Sequence, residues 1–70
     1  MKIKKPKLFD VVVYEVDDRR FYCVVGKAMP RREAAGLRAV FTRMLTEWYG
    51  AAVVPAGKFA KGDYLPAKYS

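Results

Sequence analysis

Met29-Pro-Arg-Arg-Glu-Ala-Ala-Gly-Leu-Arg-Ala-Val-Phe-Thr-Arg-Met-Leu-Thr-Glu-Trp-Tyr-Gly50 carries the clearest periodicity in the chain. Apolar residues recur at Ala34, Leu37, Phe41, Met44 and Trp48, with Val40 and Leu45 on the flanks. Steps of three and four residues put them on one stripe of a helix, predicted over about residues 30–49. Pro30 suits a first helical position and Gly50 the left-handed residue that ends a helix. Glu33 falls in the first turn, where the helix dipole favours an anion. None of Lys27, Ala28 and Met29 is a good N-cap. The helix is read as a lid on a small sheet.

Upstream, Leu8–Val16 is rich in Val and Tyr and reads as a strand; Asp17-Asp18-Arg19-Arg20 is a polar break, and Phe21–Lys27 reads as a second strand. A tight connection would pair Val16 with Phe21, Tyr14 with Cys23 and Val12 with Val25. That register offers Val12, Tyr14, Val16, Phe21, Cys23 and Val25 to the helix. The opposite face, with Phe9, Val11, Val13, Glu15, Tyr22 and Val24, is too apolar to lie bare, so either the tail or another chain covers it. Downstream, Ala51–Pro55 reads as a short third strand stopped by proline. A strand, a helix and a further strand parallel to the first of that unit make a right-handed crossover, which would lay the third strand beside the first. The expected fold is therefore α+β, a β-β-α-β domain with one amphipathic helix on a mainly antiparallel three-stranded sheet. Residues 1–7 form a basic arm, 8–55 the core, and 56–70 a basic and aromatic tail that packs on or extends it.

Seventy residues make one domain, and a chain of this size buries only about 60% of the surface its unfolded form exposes. The 53% hydrophobic content is too high for disorder, and no apolar run approaches the length of a membrane span. The Lys-bearing start has no apolar h-region, so no secretory leader is expected. Cys23 alone offers no internal disulfide and fits a reducing compartment. A soluble, cytoplasmic protein with no membrane partner is expected.

Absences exclude most catalysis. The chain has no His, Asn or Gln, and its one Ser is the last residue. Neither a Ser-His nor a Cys-His nucleophile can be built, nor a metal site of Cys and His ligands. Cys23 sits in an apolar strand pattern and reads as a small hydrophobe. Asp17 and Asp18 look like turn chemistry beside Arg19 and Arg20, and Asp63 belongs to a plausible turn. No glycine spacing matches a phosphate-binding loop. No enzyme, metal or cofactor is expected, which leaves binding roles.

There are 14 Lys and Arg against 7 Asp and Glu, and the excess lies mostly at the two ends. Such a field attracts polyanions and also keeps a protein soluble. The leading expectation is a nucleic-acid-binding module that grips phosphates. Lys2, Lys4, Lys5 and Lys7 would form an arm, Arg31, Arg32, Arg38 and Arg43 a helix patch, and Lys58 and Lys61 the tail's share. In the tail, basic and aromatic residues interleave as Lys58-Phe59, Lys61, Tyr64 and Lys68-Tyr69. This pattern suits either single-stranded nucleic acid or rings packed on the sheet. Without Asn or Gln, readout of adenine would be difficult. The alternative is a small protein-binding module or inhibitor of the phage or mobile-element type, docking on an acidic partner through its Arg-rich helix or its sheet face. That face would present Val11, Val13, Tyr22 and Val24. A homodimer through the same face is a third arrangement.

Overall fold

The computed structural model describes residues 7–45 and 47–69. They form β1 (Phe9–Glu15), β2 (Phe21–Met29), α1 (Arg31–Met44), β3 (Tyr49–Pro55) and a 3-10 turn, Ala67–Tyr69. The sheet order is β2-β1-β3, and both neighbours run antiparallel to β1. The fold is α+β with the β-β-α-β order, the first strand central, and α1 joining the two edge strands. Lys2, Lys4 and Lys5 of the arm lie outside the described residues.

Every residue of β1 from Asp10 to Tyr14 is buried, so layers cover both faces of the sheet. On one side Val12, Tyr14, Phe21, Ala52 and Val54 form a cluster closed by Leu65, with Phe59 and Tyr69 packed against it. The tail thus supplies a core residue. On the other side lies α1. A Cβ added to Gly26 would stand 2.5 Å from Leu37 Cδ2 and 3.5 Å from Val11 Cβ, so this glycine lets Leu37 settle on the sheet. Phe41 and Leu45 border the same slot as Val13. Ala34, the buried residue of α1, is small enough for close approach.

On β1 these faces reverse the expected ones: α1 covers Val11 and Val13, and the tail covers Val12 and Tyr14, whereas Cys23 and Val25 of β2 border the helix-side slot with Phe41 as expected. The cause is β2. Its partners are Tyr14 with Phe21, Val13 with Cys23, Val12 with Val24, Val11 with Gly26 and Phe9 with Met29. Between these pairs β2 carries extra residues, first Tyr22, then Val25, then one beside Ala28, and each bulge changes which side the next residues face. The connection is also wider than a tight turn. Arg19 takes a left-handed φ of 57°, and its N–H donates to the Glu15 carbonyl at 2.8 Å. Val11 and Val13 are therefore core residues, 0% and 4% exposed, and offer no surface to a partner, whereas Tyr22 and Val24 remain exposed. Cys23 is exposed rather than a buried hydrophobe.

The helix is shorter than its periodicity suggested. It ends at Met44, and Leu45 turns to an extended ψ of 152°. Met44 and Trp48 consequently leave the buried stripe, at 70% and 61% exposure. Pro30 is the N-cap residue rather than the first helical one. Gly50 belongs to β3, not to the helix terminus. A Cβ there would stand 2.6 Å from the Tyr14 ring, which also lies under the Arg19 guanidinium, 4.7 Å from the ring centroid.

Asp10 fastens the sheet to its connections. The residue is 5% exposed, and its carboxylate accepts the Ala28 N–H at 2.8 Å and the Gly57 N–H at 2.9 Å. Two backbone donors satisfy a buried anion that would otherwise destabilise the fold. Asp18 accepts the Arg20 N–H and Asp63 accepts the Ala60 N–H, the turn roles expected of them. No helix among the described residues is long and apolar enough to cross a membrane.

Candidate nucleic-acid interface

A groove runs along the β3 side of the molecule, between α1 and the 3-10 turn. Its first section, about 390 Å³, is lined by Arg31 and Arg38 from α1, Lys68 from the 3-10 turn, and the rings of Phe9 and Tyr69. A second section, about 570 Å³, adds Lys7 and shares Phe9, Arg31 and Pro55 with the first. The shared residues make the two sections one track from Lys7 to Lys68. Among the described residues, no side-chain carboxylate lines either section. The acid next to Phe9 in sequence, Asp10, is buried and held by two N–H donors. Glu15 and Asp17 border a separate hollow with Trp48 and Tyr49, at the other end of β1.

Local structure orients each cation. The Arg31 guanidinium lies 5.6 Å from the Phe9 ring centroid. Arg38 Nε donates to the Ala51 carbonyl at 3.2 Å, which anchors the side chain on β3 and leaves its other N–H groups uncommitted to that bond. Lys68 Nζ is 5.2 Å from the Tyr69 centroid. Lys58 donates to the Tyr69 hydroxyl at 3.0 Å. That hydrogen bond is the main reason the Tyr69 phenol titrates below its ordinary value of 10.0, with the Lys58 and Lys68 charges acting in the same direction. α1 also begins without a side-chain cap, so its first-turn N–H groups have no side-chain acceptor.

Of the residues expected to bind nucleic acid, Lys7, Arg31 and Arg38 meet in this groove, and Lys58 joins it through Tyr69. The others separate. Arg32 is exposed, and Arg43 lies beside Val40 and Met44, on another part of α1. Lys61 stands over the Tyr22 ring at 5.9 Å. The expected patch of four helix arginines is thus divided, because only Arg31 and Arg38 fall on the shoulder nearest β3. Lys68, Phe9 and Tyr69 were not among the candidate residues. The Lys68-Tyr69 pair was visible in the interleaved tail, but nothing in the sequence located that pair beside Arg31. No protein-family model, curated protein or solved structure matches the chain.

Proposed function

We propose that the protein is a small, non-enzymatic nucleic-acid-binding module that engages phosphates along the β3 groove. One observation carries this reading: Lys7, Arg31, Arg38 and Lys68 border a continuous groove that, among the described residues, no side-chain carboxylate enters. Cations held apart from acids in a concave site attract a polyanion more strongly than the same charges scattered over a surface. Guanidinium groups add bidentate hydrogen bonding to phosphate oxygens.

The test is a salt titration of binding to labelled nucleic acid. Four phosphate contacts predict a log–log slope of about −3.6 on duplex DNA and about −2.8 on a single strand. Arg31→Gln should weaken binding and reduce the slope by about one contact, whereas Arg32→Gln, outside the groove, should change neither greatly. Equal losses from the two variants would defeat the groove assignment. Absence of binding near 0.15 M salt would defeat the reading as a whole, leaving the charge a solubilising role.

A second reading has its own observation. Tyr22, Cys23 and Val25 border an apolar slot of about 280 Å³ with Phe41 and Tyr49, apart from the residues that line the basic groove. A protein partner docking there would be lost on Tyr22→Glu and retained on Arg31→Gln.

A further inference from the structure

The groove has features beyond charge that bear on the form of nucleic acid it takes. Its cations line a concave track between a helix and a 3-10 turn, and two rings share the lining. A duplex is a wide cylinder with its phosphates outside and its base faces stacked within; an unpaired strand is narrow and presents both. Binding without sequence preference to such a strand uses a basic track for the backbone and aromatic rings for the bases. Phe9 and Tyr69 are each partly exposed in this groove, Phe9 beside Arg31 and Tyr69 beside Lys68. Ring and cation alternate along the track, Lys7, Phe9, Arg31, then Tyr69 and Lys68. The chain also lacks the Asn and Gln side chains best suited to reading adenine edges. Ring stacking does not need them, because every base has a π face.

Resting on the nucleic-acid reading above, we infer that the ligand is a single strand, its phosphates following Lys7, Arg31, Arg38 and Lys68 and its bases meeting Phe9 and Tyr69. The contacts are to phosphate and base, chemistry that DNA and RNA share.

The test compares fluorescence anisotropy of labelled twelve-nucleotide oligothymidylate, oligouridylate and a duplex of the same length at one salt concentration. At least one single strand should bind tenfold or more tightly than the duplex, and comparison of the two strands identifies the sugar preferred. Tyr69→Leu should weaken single-strand binding about tenfold with the salt slope unchanged, since a ring is lost and no phosphate contact is. Tyr69→Phe keeps the ring and should bind as the unaltered protein does, which separates stacking from the Lys58 hydrogen bond. Far-ultraviolet circular dichroism would verify that both variants are folded. Duplex binding equal to or tighter than single-strand binding would overturn the inference and leave the phosphate-binding reading intact. Single-strand binding unaffected by Tyr69→Leu would likewise overturn it. Failure of every probe to bind would overturn both.

Discussion

Arg19 and Leu65 hold each other twice. Arg19 Nε donates to the Leu65 carbonyl at 2.6 Å, and the Leu65 N–H donates to the Arg19 carbonyl at 2.7 Å. Arg19 Nη2 also reaches the Pro66 carbonyl, at 3.1 Å. Around this pair the tail adds a short strand-like segment, Phe21 donating to Asp63 and Gly62 donating back to Phe21. An arginine beside an acidic turn looks like a soluble residue in the sequence; here it attaches the tail that closes the core. Arg19→Met should destabilise the protein by about 1–2 kcal/mol, the lower part of the range for leaving acceptors unpaired, since these are partly buried. Leu65→Ala should cost about 2–5 kcal/mol, the range for a truncated core leucine. Urea unfolding measures both, and an Arg19→Met midpoint equal to that of the unaltered protein would show that the tail holds by packing and backbone hydrogen bonds without the guanidinium.

Two glycines should respond in opposite directions. Nothing lies within 4 Å of a Cβ built on Gly36, which occupies the interior of α1. Gly36→Ala should stabilise by about 0.5–1 kcal/mol through helix propensity. At Gly50 the added methyl would meet the Tyr14 ring at 2.6 Å, and the ring is confined by Arg19 above it. Gly50→Ala should destabilise by about 1–3 kcal/mol, as overpacking does. Thermal unfolding with matched buffers distinguishes the two, and a stabilising Gly50→Ala would mean the ring moves aside freely.

Asp10 offers a similarly direct measurement. Both of its oxygens accept backbone N–H groups, so Asp10→Asn must turn an NH2 toward one of those donors. The expected loss is about 1–3 kcal/mol. Loss of hydrogen-exchange protection should be largest at the Ala28 and Gly57 amides; protection retained at both would contradict the assignment.

The Tyr69 phenol gives the pH prediction. Its pKa is lower in the folded protein than in the unfolded chain, chiefly because Lys58 donates to its oxygen. A depressed acid of this kind stabilises the fold at pH above the ordinary value of 10.0, and that contribution is lost as pH falls through the native value. A difference titration of phenolate absorbance, unaltered protein minus Tyr69→Phe, should have its midpoint below 10.0. Lys58→Met should raise that midpoint. No movement would mean that Lys58 does not govern this phenol.

The order of elements was legible because alternation, helical spacing and proline stops each act over a few residues. The choice between sheet faces was not. Val11 and Val13 compete with Val12 and Tyr14 on nearly equal apolar terms, so parity had to come from the connection and the bulges of β2. Nothing about Arg19 or Ala28 announces a positive φ, yet both adopt one, at 57° and 52°. Helix length failed for a related reason. Met44 and Trp48 continue the spacing, but β3 begins at Tyr49 and the chain must leave the helix early to reach it. For the candidate groove, residue types pointed toward a polyanion. Their convergence depended on tertiary structure, which brings Phe9 beside Arg31 and Lys68 beside Tyr69.

The Arg19–Leu65 attachment has a consequence in time. The two residues are 46 positions apart, and the second supplies the plug of a core whose strands come first. At about 5–20 residues per second, synthesis of that interval occupies roughly 2–9 s. For the last 36 of those 46 positions (65 − 29), once Met29 completes β2, the two hairpin strands are present without Leu65 over Val12, Tyr14 and Phe21. A nascent chain of this protein therefore presents an unroofed apolar sheet face for seconds, the period in which a chaperone or a neighbouring nascent chain has access to it.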